Sequence, residues 1–485
     1  MMTDHLTIAA AGVPSLAWNA PFLVLLLSVA LLPLIKQTSH WWHANSSKLM
    51  VSIACAAAVF VHYLTRGYGV HLHGDFVVTT MRALGFTLQQ DASGFVTGPA
   101  LDAVLGTALN SAWEYVPFMV MLFSLYTIAG GIVVRGKLPA SPTANMLVLA
   151  LGGVLASLIG TTGAAVLLIR PLLKANAGRP HKVHTVIFFI FIVANIGGTM
   201  LPIGDPPLFV GFLRGVPFLW TLLLWPEWVF MLVSLLSIYF VWDTVLWKRE
   251  RAAHTTTAVK IAEAHIERVR VVGTVNIFWL IAVVLAVALL APGSLFPQTS
   301  WTVPPLFREG VMLAMVGMSY LTTATGLRKE NRFDFFPIAE VAALFLGIFV
   351  ALQIPLEILS ARGGELGLRV AAQYFWATGI LSSFLDNAPT YAVFFQTALA
   401  TPAEVGVPTV QLHTGGSVRH DLLTGVSLGA VFMGAVTYIG NGPNFMVKAI
   451  AEEAGVKMPG FFGYMAYSCL VLMPLFALLT VIFLI

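Results

Sequence analysis

Charge is what this chain has least of. Lys, Arg, Asp and Glu together make up 10% of its 485 residues, where an ordinary soluble domain carries roughly 25%. That excludes a soluble globular protein. There are only two cysteines, Cys55 and Cys469, both in apolar runs, so no disulfide framework and no cysteine-based metal signature exist. The net charge of +4 is modest, and no nucleic-acid signature accompanies it. HExxH, GxSxG and the phosphate-binding P-loop are all missing. No other convergent nucleophile or metal set replaces them, which argues against an enzyme. His71, His73 and Asp75 resemble a metal cluster, but their loop reads as exposed and no further ligand is spaced to help, so no transition metal is expected. No cleavable signal is expected either. The first apolar run, Phe22 to Ile35, follows an Asp-containing start without Lys or Arg and reads as a first membrane helix.

What the chain has is apolar length. Hydrophobic residues make up 58% of it, and its mean hydropathy is +0.86. About 20 consecutive apolar residues span a bilayer as a helix. Such runs fall near 20–35, 48–64, 114–134, 185–212, 222–247, 272–291, 309–327, 336–359, 422–450 and 461–485. The expected fold is an all-α polytopic membrane protein with about 10 spanning helices and the lipid bilayer as its solvent.

Within this apolar background one pair of polar, helix-breaking motifs occurs twice. The first copy reads LASLIGTTGAAVLLI from Leu155, then IGDPPLF from Ile203; the second reads LSSFLDNAPTYAVFF from Leu381, then IGNGPNF from Ile439. In lipid, an unpaired backbone group is so costly that such breaks survive only where protein or a wet cavity satisfies them. Interrupted segments at matching places in two halves point to the binding site of a secondary transporter.

Positive residues set the orientation. Arg135 and Lys137 precede the stretch 143–175, while Arg170, Lys174, Arg179 and Lys182 follow it. If both flanks are cytoplasmic, the stretch is a re-entrant hairpin. Counting onward through the later Lys and Arg clusters puts the second stretch, 371–400, on the outside. That is an inverted repeat. The expected divisions are 1–113, N-terminal helices and an external loop; 114–218, repeat 1, with hairpin 143–175 and broken helix 185–212; 219–335, connecting helices and a cytoplasmic linker; 336–460, repeat 2, with hairpin 371–400 and broken helix 422–450; and 461–485, a C-terminal helix. Loop 65–113 is expected to hold a helix along the membrane surface.

The hairpin tips carry Thr161 and Thr162 in one half, and Ser383, Asp386, Asn387 and Thr390 in the other. The breaks carry Asn195, Thr199, Gly204 and Asp205, and Thr437, Gly440, Asn441 and Asn444. Hydroxyls, amides and freed carbonyls are hard oxygen ligands suited to Na⁺, and half-helix ends favour ions. For the Gly-Thr-Thr-Gly tip, close helix packing is an equal alternative. An Asp at membrane depth is expensive, which favours a functional role for Asp386. For Asp205 the alternative is a cap at the break. The expected site has these two carboxylates, one from each half, able to hold either a proton or a cation. Glu340, at the start of a span, is a candidate proton relay or an interfacial residue.

The stretches NIGGTMLPIGDPPLFVGFLRGVPF (Asn195 to Phe218), SSFLDNAPTY (Ser382 to Tyr391) and EVAALFLGIFV (Glu340 to Val350) resemble the citrate-transporter family, whose members include sodium/proton antiporters of the NhaD type. The resemblance implies the ion transporter superfamily fold: two inverted repeats, each with a re-entrant hairpin and a broken helix, as a homodimer. It implies ion binding at the tip and break residues just named. The superfamily's dicarboxylate symporters carry Ser-Asn-Thr at both tips, and this chain does not, which counts against a dicarboxylate. The expected function is a Na⁺/H⁺ antiporter of a bacterial inner membrane, with Na⁺ and H⁺ as its ions and no other cofactor. The alternative is a Na⁺- or H⁺-coupled symporter of citrate or another small carboxylate.

Overall fold

In a computed structural model, the chain is described over residues 12–33, 35–91, 94–136, 138–253, 269–290, 303–402, 404 and 406–485. Most of the segment 250–269, which falls within the expected connecting region 219–335 and its cytoplasmic linker, lies outside these residues. The fold is mostly helical. Helices α1 (Ala20–Leu31), α2 (Lys36–Trp42) and α3 (Asn45–Thr65) lead to a short amphipathic helix α4 (Asp75–Ala83) and the long α5 (Leu101–Ala129). Then come α6 (Pro142–Ile159), α7 (Thr161–Ala175), α8 (Val183–Ile192), α9 (Pro206–Leu213) and α10 (Trp225–Ala253). Helices α11 (Val275–Leu289) and α12 (Phe307–Thr322) precede α13 (Phe336–Ala351) and α14 (Gln353–Arg362). The chain closes with α15 (Ala371–Phe384), α16 (Asn387–Ala400), α17 (His420–Met433), α18 (Gly442–Glu453) and α19 (Phe461–Leu479). Among the described residues the strands are limited to three antiparallel two-stranded ribbons, in the loops: Gln89–Asp91 with Gly94–Val96, Val133–Arg135 with Arg270–Val272, and Thr409–Gln411 with Ser417–Arg419.

Six helical stretches among the described residues are long and apolar enough to cross a membrane: Asn45–Thr65, Leu101–Ala129, Pro142–Ile159, Phe218–Ala252, Phe336–Leu366 and Phe461–Leu484. Shorter apolar stretches cover Val183–Thr199, Val275–Leu289 and His420–Val436. The chain is therefore a multi-pass membrane protein. Of the roughly ten spans expected, two of them broken, several fall short of that length among the described residues for local reasons. The runs at 185–212 and 422–450 are each interrupted, and those at 272–291 and 309–327 yield helices of 15 and 16 residues. The helix expected to start near 114 begins earlier, at Leu101, within the segment 65–113. Asp102 and Asn110 lower the hydropathy of its first turns, but Asn110 is buried. Its amide donates to the His71 carbonyl at 2.7 Å and its Oδ1 accepts from the His73 N–H at 2.9 Å.

The elements that carry the motifs pack reciprocally. Helix α6 lies against α7, and α15 against α16 and, more extensively, α17. Helix α9 of the first half packs on α16 of the second, and α18 of the second packs on α7 of the first. Helices α3, α5 and α13 pack on one another beside this body. The core is a continuous cluster in which Phe118, Phe189, Phe191, Phe209, Phe375 and Phe395 are fully buried.

Candidate functional site

Both motif pairs fold as local chemistry dictates. Ser141 caps α6 by accepting from the Ala144 N–H at 3.3 Å, and Pro142 occupies the first turn, where no N–H is needed. The helix stops at Gly160, whose φ of +81° suits glycine, and α7 starts at the next residue. In the second half, α15 stops at Phe384 and α16 starts at Asn387. The two long breaks are alike. One passes from α8 through a 3-10 turn (Ile196–Thr199) to α9; the other passes from α17 through Gly434–Val436 to α18. Pro206-Pro207 and Gly442-Pro443 open the downstream helices, because proline cannot continue a helix but can begin one.

The breaks meet at Asp205, which is 1% exposed. Its Oδ1 accepts from the Thr161 hydroxyl at 3.0 Å and from the Asn441 amide at 3.1 Å; its Oδ2 accepts from the Asn387 amide at 2.7 Å. All three donors are neutral. Asp205 stands at the cap position of α9, yet its side chain makes no cap hydrogen bond, so the capping alternative does not describe it. Asp386 does cap. Its Oδ1 accepts from the Ala388 N–H at 3.1 Å at the start of α16, and it is only half-buried.

Asparagines satisfy much of the freed backbone. Asn195 donates to the Ile190 carbonyl at 2.8 Å and to the Asn444 Oδ1 at 2.7 Å. Asn444 donates to the Gly434 and Thr437 carbonyls at 2.8 and 2.9 Å. The Asn441 amide also faces the Ala194 carbonyl at 3.1 Å and the Asn195 Oδ1 at 3.2 Å. Asn387 donates to Asp205, but its own Oδ1 is buried without a partner among the described residues. That is a buried oxygen beside a carboxylate with nothing to bind, and such groups call for an explanation.

The structure brings Thr161, Asn195, Asp205, Asn387, Asn441 and Asn444 into one hydrogen-bonded set. Thr437, Ser383 and Gly440 adjoin it at the second break, where the Thr437 hydroxyl donates to the Ser383 carbonyl and accepts from the Gly440 N–H. The Gly204 carbonyl accepts from the Thr161 N–H at 2.8 Å. Thr199 and Thr390 are buried and turn onto backbone, donating to the Ile196 and Asp386 carbonyls. Thr162 follows Thr161, half-buried. Glu340 is elsewhere: it pairs with the buried Lys48 at 2.9 Å between α13 and α3.

A second buried polar cluster went unread in the sequence. Asp243 on α10 is fully buried; its Oδ1 is ion-paired with Arg179 at 2.6 Å and accepts from His184 at 2.9 Å. Its Oδ2 accepts from Tyr239 at 3.0 Å and Asn145 at 3.2 Å. An aspartate inside the apolar run YFVWDTVLW was the available signal.

The backbone crossing at the first break is tight. A Cβ on Gly204 would collide with the Gly198 carbonyl oxygen. Backbone cannot swing aside as a side chain can, so Gly204→Ala should cost at least the upper part of the roughly 1–3 kcal/mol typical of overpacking. The thermal midpoint of the detergent-purified variant should fall clearly. Gly317→Ala on α12, where a Cβ meets nothing within 4 Å, should leave it unchanged. Equal midpoints for the two would disprove the crossing.

Apolar helices whose two interrupted pairs converge on a buried carboxylate define a multi-pass membrane protein of the transporter class. The profile of the family described as "Putative citrate transport" matches residues 77–484, and the chain belongs to that family. It is also similar to an uncharacterized transporter of Mycobacterium bovis, with 26% identity over 335 residues, covering 66% of this chain and 71% of that protein. An uncharacterized transporter of Mycobacterium tuberculosis matches with the same identity and coverage.

Proposed function

We propose that the chain is a secondary active transporter that exchanges Na⁺ for H⁺ across a bacterial inner membrane. The observation that carries this reading is Asp205: 1% exposed, held by three neutral donors, and beside the unpartnered Asn387 Oδ1. A carboxylate so placed keeps its charge in low dielectric only at high cost, and a bound proton or a bound cation relieves that cost. The Thr161 hydroxyl and the Asn387 Oδ1 are hard oxygens available to a small cation. One site that holds either ion, opened in turn to each side, is an antiporter.

Equivalent contacts support an inverted repeat with domains at 114–218 and 336–460. Ser157 and Ser383, matched in the motifs, donate to the Gly197 and Met433 carbonyls. A Cβ on Gly440 would meet the Gly434 oxygen at 2.7 Å, the counterpart of the crossing at Gly204. Thr161 and Asn387, each the first residue of its second hairpin helix, both reach Asp205. In this reading α6–α7 and α15–α16 are re-entrant hairpins. The two broken helices are joined through Asn195, Asn441 and Asn444, which favours movement of the whole site body against α3, α5 and α13. A homodimer belongs to the same reading. Large apolar side chains such as Leu23, Val24 and Leu27 on α1 and Val233 and Val241 on α10 stay exposed for lipid or a second subunit to cover.

The second reading, a Na⁺- or H⁺-coupled symporter of citrate or a dicarboxylate, is favoured by the description of the family. It is disfavoured by the site, where the charged group beside the breaks is itself an anion. Purified protein in liposomes loaded with a pH-sensitive dye separates the two. A Na⁺ gradient should drive proton flux without any carboxylate. No such flux, together with Na⁺-driven uptake of citrate or succinate, would make the symporter the correct reading.

A further inference from the structure

The two carboxylates of the site are held in different ways. Asp205 receives side-chain donors from both halves: Thr161 and Asn387 from the two tips and Asn441 from the opposite break. Each of those partners can change role. A hydroxyl that donates to an anion can offer its lone pairs to a cation, and Asn387 has an unused oxygen. Asp386 is bonded within its own helix. Its Oδ1 accepts from Ala388 N–H at 3.1 Å, and its backbone carbonyl accepts from the Thr390 hydroxyl at 3.0 Å. A carboxylate at a helix N-terminus suits the positive end of the helix dipole, and neither a bound cation nor a proton at Asp205 requires that bond to break. Asp386 has no second set of side-chain donors among the described residues.

Building on the antiport reading, we infer that Asp205 alone exchanges ions, that Asp386 is a positioning residue for the second hairpin tip, and that exchange is therefore one Na⁺ for one H⁺ without net charge movement. In one crossing Asp205 carries a cation. In the other it carries a proton, taken from water on one side and released to water on the other. Asp386 contributes the same charge to both crossings, so it cancels. The site body then carries equal charge each way, and a membrane potential has nothing to act on.

The test measures the null point in proteoliposomes, the opposing Na⁺ and pH gradients at which dye-reported proton flux stops. A potential is imposed with K⁺ and valinomycin. A one-for-one exchanger stops when the Na⁺ ratio equals the H⁺ ratio, at every potential. One net charge per turnover would move the null Na⁺ ratio roughly tenfold for each 59 mV imposed, and that result in the wild type would overturn the inference while leaving antiport intact. Absence of any Na⁺-linked flux in the wild type would overturn the antiport reading and this inference with it. Asp386→Ser keeps a cap and Asp386→Ala removes it, so turnover should fall slightly in the first and several-fold in the second, with the wild-type null point in both. A changed null point in Asp386→Ser would show that Asp386 carries an ion, against the inference.

Discussion

Asp205→Asn is expected to reduce Na⁺-driven proton flux to the level of empty liposomes while leaving a folded protein. Asparagine keeps the shape of aspartate but has no charge to attract a cation and no affinity for an exchangeable proton. The site body would then carry the same charge at all times and would have nothing to trade. The structural cost should be moderate. One amide N–H₂ would face donors from Thr161, Asn387 or Asn441 where Asp205 now accepts, and one such mismatch costs about 1–3 kcal/mol. Size-exclusion behaviour and thermal midpoint in detergent check the fold, and the dye assay checks the flux. Sodium-linked flux retained at the wild-type rate would remove Asp205 from the mechanism. The same measurement on Glu340→Gln gives a contrast. Glu340 is bonded to Lys48 on helices beside the site, so its loss should disturb packing at α3 and α13 and leave sodium-linked exchange in place.

The parts of this fold that were legible in the sequence are those set by neighbouring residues. Pro206-Pro207 and Gly442-Pro443 cannot lie inside a helix, so both breaks could be placed to within a few residues. Gly198 and Gly434, and Gly204 and Gly440, could be matched because each pair sits at the same distance from its break. Contacts between the halves were not legible. Asn195 and Asn444 are 249 residues apart and bond at 2.7 Å; neither carries a local mark of its partner. The direction of a side chain was equally hidden. Both aspartates stand just before a helix; in the sequence a cap is the alternative reading for Asp205, whereas in the structure Asp386 is the one that caps. Arg179 was read only as one of several cytoplasmic positive charges, because its partner Asp243 lies 64 residues on in another helix, 179 to 243.

The two polar clusters divide the work. Around Asp205 the donors are neutral and one oxygen is unused, which leaves the charge free to be met by a mobile ion. Around Asp243 the charge is already met by Arg179 and His184. On the proposed antiport, the first arrangement binds and releases an ion while the second holds the fold. Asn145 near the start of α6, Arg179 after α7, His184 at the start of α8 and Asp243 on α10 come from four separate segments. Helix α10 is thereby fixed to the hairpin and to the upstream half of the broken helix. If the site body moves as a unit, α10 moves with it.

Asp243→Ala should accordingly be among the most destabilising single changes in the chain. It would leave the Arg179 guanidinium, 6% exposed, with Glu250 as its remaining ionic partner at 2.9 Å. It would also strip His184, Tyr239 and the Asn145 amide of their shared acceptor, inside a membrane helix where water cannot substitute. Removing one partner of a buried ion pair costs about 3–5 kcal/mol. The thermal midpoint in detergent should drop by many degrees, and the yield of monodisperse protein should drop with it. Because part of the penalty is a buried cation that has lost one of its two carboxylates, removing that cation as well should recover some of it. Asp243→Ala with Arg179→Ala should be less destabilised than the sum of the two single changes, the non-additivity expected of residues in one network. Asp243→Asn, which keeps the acceptor oxygen but loses the charge, should fall between wild type and Asp243→Ala. Strict additivity of the double variant, or a midpoint unchanged in Asp243→Ala, would mean that α10 is held by its apolar face alone.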